Sequence, residues 1–187
     1  TPGQIPPAGF IPIAEGSGLV KEMGKLALME ACCACSACNR PYGLDLRIAV
    51  NVSLKLLDDL FVSQVQDTLR KTRIAASKLE LEITEGLLMN NVEGYIELLE
   101  RIKCQGINFA MDDFGTGYSS LSYLKQFPIS KLKIDREFIR NINNDQDDAA
   151  IVRAIIAMAK TLNLGIVAEG IENIDQLSLL QLSHIHN

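Results

Sequence analysis

Apolar and polar positions follow two rhythms along the chain, and the two take turns. Residues 47–53 (RIAVNVS), 79–84 (LELEIT), 107–113 (INFAMDD), 129–135 (ISKLKID) and 165–169 (GIVAE) are short and rich in branched apolar residues, and read as strands. Between them the spacing is helical. Leu57, Leu60, Phe61, Val65 and Leu69 mark one stripe over 56–72, and further helices are predicted over 92–104, 118–127, 147–163 and 174–182. A long amphipathic helix starting near Ser17 or Gly18 precedes the first strand, and the opening TPGQIPPAGF reads as a loop. Strands alternating with helices predict an α/β fold with a parallel sheet.

The strands share a second feature. Their C-terminal ends carry Asn51, then Glu82 with Glu85, Asp112 with Asp113, Lys133 with Asp135, and Glu169 with Glu172. A doubly wound sheet needs polar groups only beside its switch point, whereas a (β/α)8 barrel gathers them from many strands at one face. The barrel is therefore the predicted fold. Alternation then turns Leu132 and Ile134 toward the helices, and Lys131, Lys133, Asp135, Glu80, Glu82 and Thr84 inward. Five strands are too few to close such a barrel, and 187 residues fall short of its usual ~250. The expectation is a single domain over residues 1–187, truncated at both ends.

Asp112 and Asp113 form the centre of the pattern, followed by the glycine-punctuated GTGYSS. Successive strand residues point to opposite faces, so the backbone must turn there for both carboxylates to reach one centre. Two carboxylates held so close repel unless a cation lies between them. The alternative is a strand that ends in a polar turn.

Charge and composition narrow the chemistry. A net charge of −5 and a pI near 5.1 leave no electrostatic footprint for non-specific binding of DNA or RNA. No apolar run has the length of a membrane span, and the opening lacks the regions of a signal peptide. Cys32, Cys35 and Cys38 form two overlapping C-x-x-C patterns that invite a metal cluster. They lie in an Ala/Leu/Met-rich helical stretch, where cysteine acts as a small hydrophobe, and no second Cys/His set follows. Free thiols favour a cytoplasmic setting.

Asn51, Glu82, Asp112, Asp113 and Glu169 are all oxygen donors, which favour Mg²⁺ or Mn²⁺ over zinc. Adjacent aspartates suit a two-metal site, where one carboxylate bridges the ions. Such a site activates water for in-line displacement at a phosphoester. Lys133 adds a cation or proton-handling group at the same rim; the plainer alternative is an inward salt bridge to Asp135 or a glutamate. Glu85 and Glu172 are placed either to brace loops or to touch metal. Gly115-Thr-Gly117, with Asp135 twenty residues on, partly matches a dinucleotide fingerprint but has Ser120 at the third glycine, so a Rossmann site is not expected.

The strings FIPIAEGSGLV, VNVS, LELEITE, DDFGTGYSSLSYLKQFPISKLKIDREFI and GIVAEGIE resemble, in order, the EAL-domain family of bacterial cyclic di-GMP phosphodiesterases. The resemblance implies a (β/α)8 barrel with one antiparallel strand, and Mg²⁺- or Mn²⁺-dependent hydrolysis of cyclic di-GMP to linear pGpG. It implies Asn51, Glu82 and Asp112 as ligands of one metal, and Asp112, Asp113 and Glu169 as ligands of the other. Lys133 matches the lysine that holds the catalytic water, and Asp135 a supporting acid near the substrate. Glu85 resembles the glutamate anchoring the DDFGTGYSS loop, whose freedom Gly115 and Gly117 would supply. In the family that loop couples the site to dimerisation. The resemblance thus implies a cytoplasmic homodimer, free or as the cytoplasmic part of a membrane-anchored signalling protein, fused to sensory or GGDEF-type domains.

The chain departs from the family at its ends. The Glu-Ala-Leu strand, with its metal-binding Glu and nearby Arg, is expected just before Thr1, and the Gln-Gly-Tyr strand is absent. His184 and His186 match nothing functional and read as a tail. The chain alone is therefore expected to be inactive or poorly folded. Two other functions stay open at this point: a cyclic di-GMP receptor without catalysis, and a different metal-assisted barrel enzyme with an inward lysine base. No aromatic side chain is clearly placed to stack on guanine.

Overall fold

Five strands pair side by side in chain order: β1 (Ile48–Asn51), β2 (Leu79–Thr84), β3 (Asn108–Phe114), β4 (Lys131–Ile134) and β5 (Gly165–Ala168). The computed structural model describes residues 5–86, 92–115 and 121–182. Every pair is parallel. With crossovers of the usual right hand, a sheet in unbroken chain order keeps its helices on one face, which is how a barrel grows; a doubly wound sheet reverses direction.

The register carries the division of faces. Val50, Leu81, Phe109 and Leu132 occupy one side, together with Ile83, Met111 and Ile134; all seven are buried beneath the helices. The opposite side carries Glu80, Glu82, Ala110, Asp112, Lys131 and Lys133, the inward set of the alternation. Lys131 Nζ meets both carboxylate oxygens of Glu80 at 2.7 Å, closing a charge pair one layer below the strand ends. Of the inward residues the sequence names, Asp135 lies just past the end of β4.

Among the described residues the helices are, in chain order, α1 (Pro7–Ser17), α2 (Val20–Tyr42), α3 (Asp59–Thr72), α4 (Val92–Lys103), α5 (Leu121–Leu124), α6 (Arg136–Asn141), α7 (Gln146–Thr161) and α8 (Ile174–Leu182). Aspartates start three of them: Asp58 caps α3 through Phe61 N, Asp135 caps α6 through Glu137 N, and Asp145 caps α7 through the amides of Asp147 and Asp148. Gly18 and Gly43 end α1 and α2 in the left-handed region.

Two elements differ from the sequence expectation. The segment from Pro7 is helical, not a loop. Pro7 falls in the first turn, where its missing N–H has no partner to lose, and Pro12 forfeits an internal bond that docking against α2 offsets. The six-residue α6 follows β4 directly. Ile139 is its one fully buried side chain, so the segment shows no apolar stripe to mark it. The predicted 118–127 helix is helical over Leu121–Leu124; residues 116–120 lie outside the described residues, as do His184 and His186.

Cys32 and Cys35 lie in the core, while Cys33, Cys38 and Cys104 are exposed, and all five thiols are free. Burial, with Cys35 and Cys33 nearby, pushes the Cys32 thiol up to about 11. Among the described residues, no helix is long and apolar enough to cross a membrane.

Candidate active site

The strand register delivers the polar groups to one end of the sheet. Asn51 lies level with Glu82, Thr84 level with Asp112, and Lys133 level with Val167 two residues before Glu169. At the centre is the Lys133 ammonium. Its Nζ lies 2.7 Å from Glu169 Oε1, 2.9 Å from Asp112 Oδ1 and 3.0 Å from Glu82 Oε2. Burial works against the charged form of Lys133, but the hydrogen bonds to Glu169, Asp112 and Glu82 outweigh it and hold its pKa above that of a free lysine. The inward salt bridge weighed in the sequence thus exists, to two glutamates and an aspartate rather than to Asp135.

Asp112 and Asp113 are brought together by an irregularity in β3. Met111 pairs with Leu132 and Phe114 with Ile134, so β3 holds one more residue than β4 over this stretch. Asp113 occupies that bulge at φ 52, a left-handed conformation that aspartate tolerates better than most residues. The bulge is the turn that strict alternation required. Asp113 N donates to Asp112 Oδ1 at 3.1 Å, and the Asp113 carboxyl shares a hydrogen bond with Asp135. Burial, that bond, and the charges of Asp112, Asp135 and Glu169 push Asp113 up to about 6.

These charges do not balance: Glu82, Asp112, Asp113, Asp135 and Glu169 face a single ammonium. Among the described residues no group of three or more acidic, cysteine or histidine side chains is spaced to hold a metal ion, and the Lys133 ammonium stands between Glu82, Asp112 and Glu169. The donor set itself is hard oxygen throughout, and its unmatched negative charge, felt at Asp113, fits divalent cations.

The other named residues surround this cluster. Glu85 is buried and its Oε2 accepts the Gly115 N–H at 3.0 Å. Gly115 has φ +102, and a Cβ there would lie 2.9 Å from the Phe138 ring and 3.2 Å from Ile155 Cδ1. Gly115→Ala is therefore expected to cost about 1–3 kcal/mol, from left-handed strain and this overlap together. Urea unfolding of the two proteins measures it, and equal midpoints would refute it. Gly117 lies outside the described residues. Asn51 is exposed beside Glu82. Glu172 is exposed too, and its backbone N–H is held by Gln176 Oε1 at 2.8 Å.

Gln176 is a residue that sequence reasoning missed. It is 3% exposed and ties the segment after β5 to the end of α6, through bonds to Ile139 O and Arg140 O. A lone glutamine in a helical stripe carries no signal of such a partner 37 positions away.

A parallel sheet in chain order, with an acidic, lysine-centred cluster at the strand C-termini, defines an α/β barrel-type protein with its functional face at the strand ends. The EAL domain family model matches residues 1–186. The chain belongs to that family. The bifunctional diguanylate cyclase/cyclic di-GMP phosphodiesterase MucR of Pseudomonas aeruginosa is 44% identical over 179 residues, covering 95% of this chain and 26% of that protein. Cyclic di-GMP phosphodiesterase NbdA of the same organism is 42% identical over 185 residues, 98% of this chain and 24% of that protein. The chain thus spans about a quarter of each of these curated relatives. The solved PaMucR phosphodiesterase in complex with c-di-GMP superposes with a TM-score of 0.92 at 42% identity, over 98% of this chain and 74% of that one.

Proposed function

We propose that this domain hydrolyses cyclic di-GMP to linear pGpG with the help of two divalent ions, Mg²⁺ or Mn²⁺. The observation that carries the reading is the convergence of Glu82, Asp112 and Glu169 on Lys133, with Asp113 turned toward the same cluster by the β3 bulge. Relatives named as cyclic di-GMP phosphodiesterases support the substrate.

Asn51, Glu82 and Asp112 would hold one ion, and Asp112, Asp113 and Glu169 the other. The ions, when bound, supply Lewis acidity at the phosphodiester and a water of lowered pKa. Lys133, a fixed cation at the centre of the ligand set, orients that water and offsets charge developing on phosphorus oxygens. Water oxygen would bond to one phosphorus as that phosphorus loses its bond to the ribose 3′ oxygen; the water gives up a proton and the departing 3′ oxygen takes one, so that the opened ring ends in a 5′ phosphate and a 3′ hydroxyl. Asp135 supports Asp113 through their shared hydrogen bond. Glu85 fixes the start of the Gly115 loop, Gly117 would let it move, and Glu172 would brace the segment after β5. The reading extends to a cytoplasmic homodimer, with sensory or GGDEF-type domains in the same polypeptide.

The test is turnover of cyclic di-GMP in Mg²⁺ or Mn²⁺ by a whole EAL domain that contains this chain, following pGpG by chromatography, with chelation and metal restoration as controls. Hydrolysis that stops on chelation and returns with metal is expected. Hydrolysis indifferent to chelation would remove the metal mechanism, and binding without hydrolysis would make the domain a receptor.

A further inference from the structure

The other end of the sheet carries charge of the opposite sign. Arg40 from α2, Arg73 from the turn after α3 and Lys78 just ahead of β2 line a cleft of about 190 Å³, with Ser36 and Asn39 beside them and no acidic side chain in the lining. Lys78 precedes Glu82 by four residues, roughly 13 Å at the rise of a strand, so the cleft stands apart from the carboxylate cluster. The chain as a whole has a net charge of −5, against which three cations converge in one concavity.

Side-chain bonds fix the walls of this cleft. Ser36, Asn39 and Arg40 share one face of α2 at helical spacing. Ser36 Oγ donates to Thr72 O at 3.0 Å, and Arg40 Nη2 reaches Thr72 O at 3.4 Å and Arg73 O at 3.5 Å, which holds the end of α3. Asn39 Nδ2 donates to Leu46 O at 2.9 Å while its Oδ1 accepts from Leu46 N at 2.8 Å, which holds the segment before β1. Arg73 ends α3 at φ 55, a position where glycine or asparagine is the ordinary residue. The arginine accepts that left-handed strain, and among the described residues its guanidinium has no hydrogen-bond or ion-pair partner. Opposing charge is smaller: Asp45 pairs with Lys78 from outside the lining and is shared with Arg47. The carbonyl ends of α2 and α3 add about half a negative charge each, so the three cations leave a positive remainder.

We propose that this cleft binds a phosphoryl group, as free phosphate or as the monoester of a small ligand, at a site separate from the carboxylate cluster. Two guanidinium forks offer paired N–H donors to a tetrahedral oxyanion, and Lys78 adds a point charge. Arg40 retains N–H groups beyond the one shared between Thr72 and Arg73. The volume is below that of ordinary ligand pockets and suits one phosphate with the first atoms of its ester. No aromatic side chain lines it, so the lining grips the anion and not a base. The proposal goes beyond the hydrolysis reading, since no step of that reaction calls on Arg40, Arg73 or Lys78.

The test titrates a whole EAL domain that contains this chain with inorganic phosphate and with ribose 5-phosphate, by calorimetry and thermal melts at fixed ionic strength. Chelator is present throughout, which keeps phosphate from any metal at the carboxylate cluster. Saturable binding with a Kd of about 1 mM or tighter is expected, with a Tm that rises as the probe is added. Arg40→Gln/Arg73→Asn is expected to weaken it about 10-fold or more, through lost charge-assisted hydrogen bonds. Arg73→Asn alone keeps the left-handed turn and is expected to weaken it about threefold or more, so the proposal stays testable if the double variant unfolds. Arg101→Gln, which removes an exposed arginine paired with Asp59, is expected to leave binding unchanged. Absence of saturable binding, or one Kd shared by the wild type and Arg73→Asn, would overturn the site. An equal loss in Arg101→Gln would overturn it too, by reducing the effect to general charge attraction. Tighter binding of the sugar phosphate would assign the site to a phosphate ester, and equal binding to the free anion. Each readout is independent of cyclic di-GMP turnover, so this site and the phosphodiesterase reading stand or fall separately.

Discussion

Lys133→Met is expected to reduce cyclic di-GMP turnover by about 10²-fold or more and to destabilise the metal-free protein by about 2–4 kcal/mol. Methionine keeps most of the unbranched side chain and removes the terminal ammonium with its charge and hydrogen bonds. Glu82, Asp112 and Glu169, now within 3.0 Å of a common cation, would then face one another without one. Stranding the partners of a buried charge costs ~3–5 kcal/mol; the lower figure here reflects Glu169, whose side chain is 37% exposed and screened by water. Divalent ions should reverse the stability loss but not the catalytic one. An ion at 100 times its dissociation constant returns about 2.7 kcal/mol by mass action, whereas nothing replaces the ammonium beside the water. Denaturant titrations with and without Mg²⁺, paired with pGpG formation, separate the two effects. Turnover within threefold of wild type would show that Lys133 is only a structural counter-ion.

Asp113→Asn is expected to lower turnover by on the order of 10³-fold while leaving the metal-free fold at least as stable as the wild type. Asparagine accepts the left-handed backbone of the bulge as readily as aspartate, so the substitution removes charge without straining φ 52. The charge is what the metal site needs and what the empty cluster resists. Burial and the acids at Asp112, Asp135 and Glu169 raise the Asp113 pKa to about 6, so its ionised form is disfavoured in the native state. An acid with a raised pKa weakens the fold as pH climbs through the unfolded and then the folded value, and neutralising it removes that penalty. Thermal melts at pH 8 in chelator, together with Mn²⁺ titrations of activity, test both halves. A variant that melts well below wild type, or keeps its turnover, contradicts the assignment.

Much of this site was legible in the sequence because strand periodicity is local. A two-residue repeat fixes which face Glu82, Asp112 and Lys133 share, and polar strand ends recurring along the chain point to a barrel face. The pair at 112 and 113 even demanded a break in the repeat, which the β3 bulge provides. The short α6 was not legible, since a six-residue helix with one buried side chain has no stripe. Nor was helix α1, because Pro7 and Pro12 resemble breakers when their packing against α2 is unseen.

The sequence by itself determined the strands, their parallel class, the inward faces and the oxygen chemistry of the site, because each follows from residue type and spacing within a few positions. Tertiary structure alone decided that Lys133 centres on three carboxylates from three other strands or their ends, and that Gln176 spans to Ile139 to tie the segment after β5 to α6. Those contacts join residues 21 to 51 positions apart, or 37 in the case of Gln176, and no local period encodes which of many compatible partners meets which. Register and packing choose among them, and both are properties of the assembled sheet.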